Sequence, residues 1–531
     1  MIDEEQPLLR PDRAPQSISH HAAPYPDADF DRDGDQDDPR QWPMAYRWGL
    51  VSLLALMAFT VYATIAPHHP HSRSLGSHHN STFTCISVVP VAGPIIADLS
   101  PDHTASKSAS VLLVTIWELG EAAGPLFIAP LSEVYGRYPV FNAANTLFIL
   151  GVLLATLSQT PGMLVCARFL TGCAVASNVL NPSVIGDIFP PESRGSAVSL
   201  VMLAPLIGGA VGPAIAGAIA QSSGWRQIMC MSLALAVFCE ILFLTCFRET
   251  YKPVILRRRQ NIHKRHATSS ANEQLETTPA EASEKATEAH ALRTAIVRPL
   301  KVFTGSFVLQ ILSLYGAVVF SLFYIMSTTL PEILREQYHL SPTLVGSSLI
   351  SFSIGSLLGV LTCNLLLDRI YLRLQTTNPV PKPENKLPLV LISALLLPVS
   401  ILWYGSVAVP SHQSATQTPL PLLLAVILMG FSLLTTIVPL MSYVVDAFAT
   451  YSASATTSVL ILRCLMGTFL PLTTGPLTDS LGYLGGFGVI AAVCAVLAPV
   501  PALVFWFGER WRGGCRFTRG GDEDREDGVG G

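Results

Sequence analysis

Two acidic residues, Glu118 and Glu121, stand inside the otherwise apolar run TIWELGEAAGPLFIAPLSE. Their i, i+3 spacing places them on one face of a helix, beside the packing glycines Gly120 and Gly124. Two carboxylates so close in a low dielectric repel when both are ionised, so one is expected to hold a proton near neutral pH. Taking up and releasing a proton inside an apolar segment is the behaviour a proton carrier requires. A third charge, Arg168 in CARFLTG, also lies within an apolar run. A central charge costs about 2.5–3.5 kcal/mol on insertion scales, so Arg168 must face a water-filled cavity or a carboxylate, and it is the candidate counter-charge. The plainer alternative is static: one Glu pairs with Arg168 and the other sits near the outer surface.

The elements that must position these groups are apolar helices. The chain has 531 residues, 50% of them hydrophobic and 13% charged, with a net charge of -4 and a mean hydropathy of +0.45. An ordinary soluble domain carries roughly 25% charged residues, so much of this chain is built for lipid. It has no broad basic surface of the kind nucleic-acid binding needs. Apolar runs fall at 46–66, 108–131, 139–158, 162–186, 196–220 and 225–247, then at 304–329, 342–367, 387–408, 420–446, 455–477 and 484–507. Each is near the ~20 residues that cross ~30 Å of hydrocarbon. Lipid cannot satisfy backbone N–H and C=O groups, so such spans must be helices. Residues 83–97 are apolar but short and carry Pro90, Gly93 and Pro94, and are expected to stay outside the bilayer core.

The remaining stretches are polar. Residues 1–45 and 511–531 read as cytosolic tails, the first of them disordered, and 248–303 as a cytosolic linker between bundles at 46–247 and 304–510. The basic cluster Arg257, Arg258, Arg259, Lys264 and Arg265 fixes the linker's side by the positive-inside bias. Eight of the ten cysteines lie in or beside apolar runs without the paired spacing of a zinc site, and only Cys85 faces outward, so no disulfide framework and no metal site are expected.

With these features in place, the chain from Trp42 to Trp511 resembles the major facilitator superfamily, and within it the fungal twelve-helix drug:proton antiporters. PLSEVYGRYPV is similar to that family's signature loop, where an acid, a Gly and an Arg form a cytosolic charge latch; the roles fall to Glu133, Gly136 and Arg137, with Tyr138 where a second basic residue is common. CARFLTG resembles the second signature, which implies a part for Arg168 in proton coupling. LAPLIGGAVGPAIAGAIAQ matches the antiporter signature: Gly208, Gly212 and Ala216 make one small-residue ridge, and Gly209, Pro213 and Gly217 another. Such a helix suits two bundles that rock against one another, or a static packing face. PENKLPLVLISALLLPVSILWYG resembles the ninth helix. SYVVDAFATYSASATTSVLILRCLMGTFLPL resembles the tenth-to-eleventh junction, whose charges Asp446 and Arg463 read equally as a gate or as a cytosolic-end ion pair. Asp368 and Arg369 end the eighth run as Glu133 and Arg137 follow the second, an echo expected of a two-half architecture.

The resemblance implies an all-α membrane protein of twelve transmembrane helices in two pseudo-symmetric six-helix bundles. It implies no enzyme, and a monomeric carrier that exports small hydrophobic or cationic organic molecules against an inward proton flow. Tyr315, Phe320, Phe323 and Tyr324 are candidates to line the cavity, or equally core or lipid-facing residues. No cofactor is expected, since no G-x-x-x-x-G-K-[ST] loop occurs. A proton-coupled importer or polyamine carrier would share the fold, and a non-transporting membrane receptor is the alternative of another class. One stretch departs from the family: HHPHSRSLGSHHNSTFTCISVVPVAG is either an outward-facing loop or a piece that splicing should remove. It holds a glycosylation sequon at Asn80. The plasma membrane is the expected location; EEQPLL, from Glu4 to Leu9, is similar to dileucine signals that direct proteins to vacuoles.

Overall fold

The computed structural model describes residues 38–62, 64–65, 81–82, 86–102, 106–175, 177–190, 193–259, 296–377, 382–409, 418–448 and 451–518. Asn80, the EEQPLL sequence and Cys85 lie outside the described residues.

Each of the twelve apolar runs is mostly helical over its described residues. The N-terminal half comprises α1 (Met44–Tyr62), α2 (Ala92–Leu99), α3 (Lys107–Val134), α4 (Arg137–Thr156), α5 (Pro161–Cys173), α6 (Ser177–Ile188), α7 (Arg194–Ser223) and α8 (Trp225–Cys246). The C-terminal half comprises α9 (Phe307–Glu336), α10 (Pro342–Ser348), α11 (Ile350–Thr377), α12 (Pro388–Val407), α13 (Leu420–Phe448), α14 (Ser452–Phe469), α15 (Thr474–Leu497) and α16 (Pro499–Gly513). Eight described stretches are long and apolar enough to cross a membrane, the eleventh and twelfth runs sharing one of them. The break between those two runs is Gly482, whose φ of +70° is open to glycine at little cost. Two two-residue strands, Thr64–Ile65 and Ser81–Thr82, pair antiparallel beside α7 and α8.

The short apolar segment expected outside the bilayer core packs onto the N-terminal half. Ile86–Val91 forms a 3-10 turn that accommodates Pro90, and α2 follows it. Val88 and Ile95 are fully buried, and the segment packs on α3, α7 and α9. Its brevity hid it: fourteen residues are too few to cross alone, yet enough to fill a gap among longer helices. Asp98 at its end accepts hydrogen bonds from Trp225 Nε1 (2.9 Å) and Arg226 (3.0 Å), which ties it to the start of α8.

Close backbone approach sets the interior. A Cβ on Gly120 would run into the Phe169 carbonyl, and one on Gly124 into that of Cys173, so α3 and α5 touch through these glycines.

Each half carries a charge cluster at the end of the helices nearest residues 248–303. Gly136, with φ +101°, turns the chain into α4. Arg137 bonds Asp187 at the end of α6 (Nε to Oδ2, 3.3 Å) and Ser132 (2.5 Å). Glu249, just after α8, accepts from the backbone N–H groups of Arg137 (2.8 Å) and Tyr138 (3.1 Å), satisfying free donors at the start of α4. Tyr251 lies 4.7 Å from the Arg137 guanidinium, and burial raises its phenol above the ordinary value, so it stays a neutral platform. The acid of the latch is thus Asp187, with Glu249, and not Glu133, which is exposed. The C-terminal half repeats the plan: Lys386 pairs with Asp446 at the end of α13 (2.5 Å), and buried Glu384 takes a forked pair from Arg512 of α16 (2.7 and 2.9 Å). Of the expected pair Asp368 and Arg369, Arg369 is exposed and the Asp368 side chain lies outside the described residues.

Candidate functional site

The two carboxylates of α3 are buried, Glu118 at 2% and Glu121 at 3% exposure. Each is bonded by a group from the opposite half. The Tyr324 hydroxyl of α9 donates to Glu118 Oε1 at 2.5 Å. The Arg463 guanidinium of α14 lies 3.4 Å from Glu121 Oε1. Packing explains why these partners meet. α3 lies against α14, and Gly467 on α14 leaves room for the pair: a Cβ there would stand 3.4 Å from the Tyr324 ring and 3.5 Å from Glu118 Oε2. Phe320, one turn from Tyr324, holds its ring 4.2 Å from the Arg463 guanidinium carbon, a cation–π contact that keeps the arginine aimed at Glu121.

Arg168, the counter-charge expected from the sequence, is fully buried on α5, and Arg463 is a cation that Glu121 also meets from the opposite half. Arg463 and Asp446 are no pair, since Asp446 sits on Lys386. Of the four aromatic cavity candidates, Phe320 and Tyr324 belong to the carboxylate cluster, and Phe323 packs on Tyr324 with ring centroids 5.0 Å apart. Tyr315 is buried in the core of the C-terminal half.

Cys464 had no assigned role in the sequence. Its Sγ and the carboxylate oxygens of Glu118 and Glu121 lie within 4.8 Å of one another. Those atoms are metal-ligand types, and the Arg463 guanidinium lies 3.9 Å from the sulfur. Glu118 Oε2 is buried with no hydrogen-bond partner. The cue available in the sequence was adjacency alone, Arg463 beside Cys464.

Around this cluster the outward ends of the halves are joined. Lys107, the first residue of α3, reaches Asp479 of α15 (2.6 Å) and Glu332 of α9 (3.3 Å). Thr468 of α14 donates to the Thr115 carbonyl (3.3 Å), and Thr343 of α10 to Gln221 of α7 (2.6 Å). The antiporter-type helix α7 makes the second seam: Gly217 meets the Pro342 carbonyl, and Gly346 of α10 meets that of Pro213, so a Cβ on either glycine would collide with backbone. Gly208, Gly212 and Pro213 are buried and Gly209 half-buried. At the opposite ends of the helices, the ion pairs of Arg137 with Asp187, Lys382 with Glu509, Lys386 with Asp446 and Arg512 with Glu384 each join elements of one half. The two halves meet at the central carboxylates and at these seams.

The sequence and the fold have counterparts among known proteins. The profile of the Major Facilitator Superfamily matches residues 48–471. The chain is 30% identical over 498 residues to the efflux pump radE of Floropilus chiversii, covering 92% of this chain and 85% of that protein. It is 28% identical over 495 residues to the efflux pump vrtL of Penicillium aethiopicum, covering 92% and 91%. Among solved structures, a D-xylose-proton symporter superposes with a TM-score of 0.59 at 16% identity, over 87% of this chain and 98% of that one. A peptide transporter bound to sulfate gives 0.60 at 12% identity, over 89% and 96%. Two six-helix halves meeting at a buried polar centre, a profile match across most of the length and relatives named as pumps lead to one assignment: this chain belongs to the major facilitator superfamily and is a membrane-embedded transporter of small molecules, not an enzyme.

Proposed function

We propose that the protein is a proton-coupled antiporter that exports small hydrophobic or cationic organic molecules, such as drugs, toxins or secondary metabolites. The observation that carries this reading is that both buried carboxylates of α3 are bonded across the interface between the halves. Opposite charge and donated hydrogen bonds favour an ionised carboxylate. Parting the halves at their outer ends takes Tyr324 and Arg463 away, so Glu118 and Glu121 gain a proton from outside; closing them restores those partners, and the proton leaves on the cytosolic side. Substrate bound from the cytosol travels the other way. With an outside about two pH units more acidic and about 100 mV across the membrane, one proton supplies ~2.7 and ~2.3 kcal/mol respectively. That sustains a gradient of about 10³ to 10⁴ for a neutral substrate. The relatives named as efflux pumps support the outward direction. The proposed setting is the plasma membrane, with the carrier working as a monomer.

The test is flux in sealed liposomes containing the purified protein, with an imposed pH difference and a panel of fluorescent lipophilic cations and hydrophobic metabolites. Uptake should follow the pH difference, and Glu118→Gln or Glu121→Gln should abolish that dependence while leaving substrate binding. Unchanged proton dependence in both variants removes the two carboxylates from the mechanism.

A further inference from the structure

We propose that Lys107 is the outer gating residue of the transport cycle: its two ion pairs hold the halves together outward of Glu118 and Glu121 and close those carboxylates to the outside. The inference rests on the transporter assignment and not on the coupling ion. Lys107 belongs to the N-terminal half, and both its partners, Glu332 and Asp479, belong to the C-terminal half, on different helices. One ammonium thus ties two helices of one half to the first turn of α3 in the other. Its placement is fixed by Ser106, which caps that turn by accepting from the Ala109 N–H.

Lys107 and Glu332 line a cavity of about 170 Å³ together with Pro90, Val114 and Thr474, with Arg335 and Glu336 also on its wall. It reaches within one helical turn of the coupling site on two sides: Val114 precedes Glu118 by four residues on α3, and Thr328 follows Tyr324 by four on α9. One turn is about 5.4 Å. The hydroxyls of Thr474, on the cavity wall, and of Thr115, a turn outward of Glu118, are buried with no hydrogen-bond partner, as is Glu118 Oε2. Buried polar atoms left open in this way are normally satisfied by water, protein or a proton. When the lock parts, water entering past it satisfies them in turn and puts Glu118 in contact with the outside.

The lock is suited to switching rather than to folding. The Lys107 and Asp479 side chains are 49% and 58% exposed, and such pairs contribute little to stability. Between two conformations of similar free energy, the same small contribution moves the population several-fold.

Cys464 is a built-in reporter, because its thiol is buried beside Glu118 and Glu121. The experiment is labelling of Cys464 with a membrane-impermeant maleimide applied from outside to sealed right-side-out vesicles, with Cys464→Ala defining the background. Lys107→Met should raise the labelling rate about fivefold, Lys107→Arg should leave it near the unmodified value, and the paired Glu332→Gln, Asp479→Asn variant should match Lys107→Met. A rate unchanged within twofold in both Lys107→Met and the paired variant overturns the gate, as does rapid outside labelling of the unmodified protein. Labelling requires no flux, so the two readings fail separately. If labelling rises but a pH difference drives no transport in the unmodified protein, the gate stands and the antiport reading falls.

Discussion

Removing the Tyr324 hydroxyl is the sharpest perturbation of the coupling site, because Tyr324→Phe keeps the ring and deletes the atom that donates to Glu118 Oε1 at 2.5 Å. The bond is charge-assisted when Glu118 is ionised, a class that contributes about 1.5–3 kcal/mol. Interhelical hydrogen bonds in membrane proteins measure lower, averaging about 0.6 and reaching about 1.7 kcal/mol. The overlap of these ranges sets the expected loss at about 1.5 kcal/mol, close to tenfold in an equilibrium constant. The bond joins the two halves, so this loss falls on the balance between the closed outer side and the open one. Because Glu118 Oε2 already has no hydrogen-bond partner, the variant leaves the carboxylate poorly compensated whenever the outer side is closed. The expected outcome is a roughly tenfold shift toward outside accessibility, read by impermeant maleimide labelling of Cys464. The half-saturating outside proton concentration for exchange in liposomes should shift with it. A shift under threefold in both readouts, in protein that purifies as a single species, would refute the assignment of this bond as part of the coupling switch.

Two further outcomes test the packing around the site. Gly120→Ala should lower stability by about 1–3 kcal/mol, the cost of overpacking, because its Cβ meets the Phe169 carbonyl; Gly162→Ala, with nothing within 4 Å, should stay within about 0.5 kcal/mol, both read by thermal unfolding in detergent. Glu384→Ala should cost about 3 kcal/mol, since it strands Arg512 in a partly buried site, and Glu384→Gln should cost less because one hydrogen bond survives; the same thermal assay orders the three proteins.

Much of this molecule is legible in one dimension. An apolar run of about twenty residues has to be a helix in lipid, whatever its neighbours, because the backbone has no other way to pair its polar groups. The twelve runs, their division into two sets around residues 248–303, and the anomaly of Glu118 and Glu121 within one of them therefore follow from local composition. Gly120 and Gly124 were readable too, since small residues spaced along an apolar helix announce a close neighbour. What lies next to what was not readable. Arg463 is 342 residues from Glu121 and Tyr324 is 206 from Glu118. Arg168 stood nearer in the sequence and offered the same charge. Asp187 and Glu249, and not Glu133, complete the latch of Arg137, and a segment too short to span fills the N-terminal half as α2. Sequence determines which groups are costly to leave unpaired in lipid; only the packing of helices from two separate halves decides which partner arrives, because that choice depends on distances across an interface that no local pattern encodes.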